Sequence, residues 1–196
     1  MPVIDPVPVE ELEENKTLAK MLEQAERLRA PDPLLLRIMA HAPSHAQAVW
    51  DAFWVSHAEG NVDHRLKEII RIRLARFAGD PYFANLRSTM AKEAGLTEET
   101  VEAGCGDFEN DGRFSDAWKW ALEYSALMYT DPKAVNRDFY NKGKRHWSEA
   151  EIMEIGVLIA YHYGFAVWMK TLKAFPLHDP DGNPVSQEES AKIYPI

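Results

Sequence analysis

"EIIRIRLARFAGDPYFANLRSTMAKEAGL", residues 68–96, decides how this chain is read. Ile69, Ile70, Ile72, Leu74 and Ala75 make the first half apolar on most sides of a helix, and Glu68 lies within that run. Asp80-Pro81 is a helix start, because aspartate accepts from free amides and proline suits the first turn. The spacing predicts one helix from Pro81 up to Gly95, its C′ residue. A carboxylate in so apolar a helix loses water, which raises its pKa and makes Glu68 a candidate general acid or base. The competing reading of Glu68 is an ion pair with Arg65, Arg71, Arg73 or Arg76.

Outward from this stretch the pattern stays helical. Leu18, Met21, Leu22, Ala25 and Leu28 recur at helical spacing and predict a first helix over about Val9–Arg29. "APDPLLLRIMAHAP" is a short helix closed by Pro43. Ser44 caps a helix bearing Val49, Trp50, Phe53 and His57, which Gly60 ends, and Asp63 caps the helix that carries Glu68. Ser115 starts a later helix, and Asn136 begins a short one that ends at Gly143. Ser148-Glu149-Ala150-Glu151 is a capping box opening a helix that runs to about Lys173. No strand alternation exceeds four residues. The expected fold class is all-α, a single-domain bundle of about eight helices. Residues 1–31 form an N-terminal extension with a helix, 32–175 the helical domain, and 176–196 a loop-rich tail.

Composition bounds the function. An apolar share of 46% over 196 residues supports one folded core. A net charge of −9 argues against nucleic-acid binding and against docking on anionic lipid. The lone Cys105 permits no intrachain disulfide and fits a reducing, cytoplasmic setting. "MPVIDPVPVEELEEN" lacks the basic and apolar regions of a signal peptide. The apolar run Ile155–Met169 is shorter than a membrane span and reads as a buried helix.

Further residues could carry chemistry. His64 lies one turn before Glu68 on the same face, so the two could share a proton. As metal ligands they are two of the three or four a site needs, and no metal is expected. Arg87, two turns beyond Asp80 and on the side of Phe83, could clamp a carboxylate with two hydrogen bonds or lie in solvent. The short Gly79-Asp80 link should turn the two helices against each other so that Glu68 and Arg87 share a pocket. Tyr82 could donate from its phenol or belong to the core. His162, between Tyr161 and Tyr163, is either a core histidine or part of a pocket wall.

These residues resemble the carboxymuconolactone decarboxylase family, within the alkylhydroperoxidase D-like superfamily. "HRLKEIIRIRLARFAGDPYFANLRSTMAKEAGLTEETVEAG" is similar to the family core, and "SEAEIMEIGVLIAYHYGFAVWMKTL" to its second core helix. "DPLLLRIMAHAPSHAQAVWDAF" resembles the lead-in of its longer members. Peroxidase-type members carry Cys-x-x-Cys and a histidine four residues later, with a glutamate twelve residues before the first cysteine. Here those positions hold Asp80, Phe83, Arg87 and Glu68. Thiol peroxidase chemistry, which needs attacking and resolving thiols, is therefore excluded. The resemblance implies instead a cofactor-free acid–base enzyme of the decarboxylase or lyase type on a small acid or lactone, as in aromatic catabolism. Glu68, Tyr82, Arg87 and His64 would be catalytic, with Arg73, Asp80, Phe83 and His162 binding substrate. It also implies a homo-oligomer: dimer, trimer or hexamer. The alternative is a non-catalytic ligand-binding or assembly protein on the same fold.

Overall fold

The computed structural model describes residues 2–194. Among these residues the fold is all-α, with one isolated bridge, His178–Pro184, in the tail. The helices are α1 (Val9–Glu13), α2 (Lys16–Leu28), α3 (Pro33–Met39), α4 (Pro43–Phe53), α5 (His64–Ala78), α6 (Pro81–Asn85), α7 (Thr89–Glu93), α8 (Glu98–Cys105), α9 (Asp116–Thr130), α10 (Arg137–Gly143), α11 (Glu149–Leu172) and α12 (Gln187–Ile193). There are more segments than the sequence pattern predicts because three long stretches are interrupted.

The first interruption is at Asn15. Its backbone is extended, and its side chain accepts from the amides of Thr17 and Leu18 at 3.0 and 3.3 Å, so it ends α1 and caps α2. The second follows α4, which Pro43 opens directly, in place of a Ser44 cap. Trp54–Ala58 continue as a π-helical turn, a geometry found mostly as single turns and often at functional sites. The third is at Leu86–Ser88, where both terminal residues are extended and the expected Pro81–Ala94 helix divides into α6 and α7.

α5 and α11 form the central pair. Two apolar clusters flank them. One joins α2, α3 and α4 to Tyr82, Phe83 and the C-terminal half of α11. The other joins α5, α8, α9 and α10 to the N-terminal half of α11. Ile69, Ile70, Ile72 and Leu74 of α5 are completely buried, each worth about 1.5–3 kcal/mol of transfer free energy. α11 is apolar on all sides, with a mean hydropathy of 1.4 over its best 18 residues, so by length and composition it could cross a membrane. One face, including Ile155, Leu158 and Ile159, is buried in the core. The opposite face leaves Met153, Val157, Val167 and Trp168 exposed, so the expected buried helix is buried on one side only.

Candidate active site

Glu68 lies on the inner face of α5 and is fully buried. Its partner is Arg71, one turn on and also buried, which donates from Nε to Oε2 at 2.9 Å and from Nη2 to Oε1 at 2.7 Å. The same guanidinium donates to the carbonyls of Phe83 (2.5 Å) and Leu86 (2.8 Å), and the Ser88 amide donates to Glu68 Oε1 at 2.7 Å. The ion pair therefore supplies partners to backbone groups that would otherwise continue a helix. This is why the expected helix breaks at Leu86–Ser88.

Around the carboxylate stand three histidines. The π-helical turn carries His57 inward, with Nε2 3.3 Å from Glu68 Oε2, a long contact that becomes ionic only when the ring is protonated. His162 of α11 packs edge-on to His57 with ring centroids 5.1 Å apart. Both are about 1% exposed. Among the described residues neither His162 nitrogen nor His57 Nδ1 has a hydrogen-bond partner. His64, at the start of α5, is held by the His57 carbonyl (3.0 Å) and Ser88 Oγ (2.9 Å), with its ring 4.7 Å from that of His57. Phe53 and Phe83 complete the apolar wall around His162.

The electrostatics reverse one expectation. Burial pushes the Glu68 carboxyl up, but the Arg71 charge, with hydrogen bonding from His57 and Arg71, holds it well below the usual carboxylate range. Glu68 is thus an ionised anchor, not the raised-pKa acid that burial alone would make. Burial lowers His57 to about 4 against the pull of Glu68, and drives His162 well below its ordinary value. Burial also lowers His64. At neutral pH His57 and His162 are therefore neutral imidazoles beside a carboxylate that would stabilise either one on protonation.

The other sequence candidates lie elsewhere. Arg87 does not share a pocket with Glu68. Its Nε donates to both Glu98 carboxylate oxygens at 2.9 and 3.0 Å, and its Nη1 to the Ala84 and Leu86 carbonyls. Tyr82 is fully buried, but its hydroxyl donates to Asp32 Oδ1 at 2.5 Å, in the cluster built on α2 and α3. Arg73 donates to the carbonyls of Gly104 and Cys105 at 3.0 and 3.1 Å and packs between Phe77 and Phe108, a clasp on the end of α8. Asp80 caps α6 by accepting from Tyr82 and Phe83 amides at 3.2 and 3.0 Å, and burial pushes its carboxyl up to about 7. Phe83, His64 and His162 do gather at Glu68.

His57 and Ser88 are the site residues that reasoning from sequence missed, whereas Arg71 was one of four candidate partners of Glu68. The i,i+3 spacing from Glu68 singles out Arg71, since an arginine there can reach the carboxylate within one turn. His57 carried no such signal, because a π-turn rotates it away from where α-helical counting puts it. Among the described residues no group of three or more His, Cys, Asp or Glu side chains could hold a metal ion.

Known proteins were compared with this architecture. Residues 43–123 match the family described as the carboxymuconolactone decarboxylase family. A search of curated proteins found no match. The fold is similar to that of the debrominase Bmp8, solved as a cysteine-to-alanine variant in complex with 2,3,4-tribromopyrrole. The TM-score is 0.73 at 18% identity, covering 98% of this chain and 96% of that one. A peroxidase-related protein with an alkylhydroperoxidase AhpD core from Ralstonia eutropha JMP134 gives a TM-score of 0.70 at 13% identity, with 94% of each chain covered. A putative antioxidant defence protein AhpD from Agrobacterium tumefaciens, ATU0492, gives 0.57 at 16% identity, covering 69% of this chain and 92% of that one. Residues 43–123 thus resemble the carboxymuconolactone decarboxylase family, and the all-α fold is similar to that of the alkylhydroperoxidase D core.

Proposed function

We propose that this protein is a cofactor-free acid–base enzyme of the decarboxylase or lyase type, acting on a small carboxylated or lactone ring compound. The observation that carries this reading is the buried pair His57 and His162 beside ionised Glu68, with ring nitrogens that no described residue satisfies. Leaving buried polar nitrogens without partners costs roughly 1–3 kcal/mol for each group. A stable core does not need that expense, whereas proton transfer to a bound ligand does. In this reading Arg71 fixes Glu68, Glu68 orients His57 and stabilises its protonated form, and His57 Nδ1 or His162 moves the proton. When a carboxylate leaves as CO2, the electron pair of the broken C–C bond passes into a conjugated carbonyl. A proton must then reach carbon: an imidazole that is neutral at rest would first take one from the substrate or from solvent, with Glu68 stabilising the imidazolium, and then deliver it.

The debrominase that shares the fold binds a halogenated pyrrole, a ring of the size envisaged here. The single cysteine removes intrachain dithiol chemistry from consideration. It also fits a cytoplasmic setting. The exposed apolar face of α11 supports a homo-oligomer. A non-catalytic reading has one observation in its favour: the Glu68–Arg71 pair already has a structural task at the α6–α7 break.

A screen against lactone acids and keto acids, following CO2 release and absorbance, separates the two readings. His57→Gln and Glu68→Gln, assayed below their melting temperatures, should each lose on the order of 100-fold in turnover. Turnover unchanged in both folded variants would assign the cluster to structure alone.

A further inference from the structure

A cleft of about 680 Å³ opens between the α6–α8 segment, Arg29 at the end of α2, and the tail turn Asp179–Gly182. Its cations are Arg29, Arg87 and Lys92. Arg29 occupies the left-handed C-cap of α2 at φ 59°, a conformation that glycine adopts without cost and arginine does not. Among the described residues its guanidinium has no hydrogen-bond or ion-pair partner, and neither has the Lys92 ammonium. Arg87 engages Nε and Nη1, leaving Nη2 without a partner among the described residues.

The wall also carries three acids, Glu98, Asp179 and Asp181, so its formal charge is balanced and the case for an anion rests on unsatisfied donors. Glu98 is already held by Arg87 Nε, and Asp179 accepts from the backbone and side-chain nitrogens of Asn183 at 2.8 and 3.0 Å. Neither Asp179 nor Asp181 is in an ion pair among the described residues, so both keep their charge in the wall. What the cleft offers an anion is the three cationic side chains lining it, two of them without a partner among the described residues. Gly182, at φ 88°, lets the turn pass close to Arg29, since a Cβ there would meet Nη1 at 3.3 Å. Leu86 lines the same cleft while its carbonyl is held by Arg71 at 2.8 Å, so one residue separates the cleft from the Glu68 cluster.

We propose that this cleft binds the carboxylate of a small, flat organic acid, with Arg29, Lys92 and Arg87 Nη2 as its donors, and that it is the approach to the buried histidines. The second half rests on the acid–base reading above; the binding itself does not. A carboxylate lying in the cleft can take a forked pair of bonds from Arg29 and a further one from Arg87, with Lys92 as a point charge. The ring would then lie towards Leu86.

Phthalate and its neutral dimethyl ester are suitable probes, titrated calorimetrically into the full chain at neutral pH and low salt. Phthalate should bind and the ester should not. Arg29→Gly suits the left-handed backbone and keeps the fold, and it should weaken phthalate binding at least tenfold, the scale of one charged hydrogen bond. Lys92→Ala added to it should weaken binding further. His57→Gln, which leaves the bonds to the 83–88 segment in place, should bind phthalate as the unaltered protein does while losing turnover in the lactone-acid screen. Absence of phthalate binding at millimolar concentration, equal binding of the ester, or unchanged affinity in Arg29→Gly overturns the proposal. Phthalate binding that Arg29→Gly weakens, in a protein that turns over no lactone or keto acid, upholds the cleft and removes the enzymatic reading. Turnover that depends on Glu68 but is indifferent to Arg29 does the reverse.

Discussion

Replacing Glu68 by glutamine should destabilise the protein more than any other single isosteric change. The carboxylate accepts from Arg71 Nε, Arg71 Nη2 and the Ser88 amide at 2.7–2.9 Å, and neither Glu68 nor Arg71 is more than 1% exposed. A glutamine oriented with its oxygen at Oε1 keeps Arg71 Nη2 and the Ser88 amide. Its amide nitrogen then faces Arg71 Nε, donor against donor, and the guanidinium is left buried without a counter-charge. Removing one partner of a buried ion pair costs about 3–5 kcal/mol. At about 2–4 °C per kcal/mol for a chain of this size, the melting temperature should fall by roughly 6–20 °C. Urea unfolding of Glu68→Gln, Arg71→Met and the double variant gives the cycle. The double variant should be less destabilised than the sum of the singles by at least about 2 kcal/mol, because it leaves no unpaired charge. A Glu68→Gln protein within about 1 kcal/mol of the parent, or strictly additive singles, would show that the pair does not brace the α6–α7 break.

Four further outcomes are expected. Asp80 has its folded pKa raised from 3.8 to about 7, so its contribution is full below the unfolded value and lost as pH rises through 7. Asp80→Asn keeps the cap without the titration, so its stability relative to the parent should rise by up to about 4 kcal/mol between pH 4 and pH 8; a pH-independent difference in urea midpoints would refute this. His57 has the opposite sense: its folded pKa falls to about 4, the unfolded chain takes the proton first, and stability attributable to it drops as pH falls from 6.5 towards 4, a loss that His57→Gln should lack. A Cβ at Gly143 would overlap the Trp120 ring, so Gly143→Ala should cost about 1–3 kcal/mol in thermal unfolding, whereas an unshifted melting curve would mean that α10 can move away freely. Light scattering should find a particle larger than the 22.4 kDa chain, reduced towards that mass by Val157→Glu on the exposed face of α11; a monomer before substitution ends the oligomer proposal.

Local signals carried well from sequence to structure, and long-range ones did not. Asp63, Asp80, Ser115, Asn136 and Ser148 each cap a helix by accepting from backbone amides two or three residues ahead, so their role is written within one turn of chain. The apolar character of α5 and α11 likewise placed them at the centre. The break at Leu86–Ser88 has no local cause. It is drawn by Arg71 and Glu68 from 15 and 20 residues away, and helical periodicity continues through it. The Tyr82 hydroxyl meets Asp32 across 50 residues, which no spacing rule anticipates. Reading Arg87 as two turns beyond Asp80 failed for the same reason, since it assumed a helix that the ion pair interrupts. Glu68 was visible as a buried carboxylate, but its ionisation depended on which of four nearby arginines turned inward.

Arg71 and Glu68 grip the 83–88 segment by main-chain atoms: two carbonyls and one amide. Side chains in that stretch play no part in those bonds. The path of the segment is therefore set largely from α5; Arg87 adds bonds to the Ala84 and Leu86 carbonyls, whereas the Phe83 side chain takes part in none of them. This is a mounting whose fittings can be exchanged. It identifies position 83 as a place where a new side chain could be installed while the three bonds from Arg71 and Glu68 stay in place.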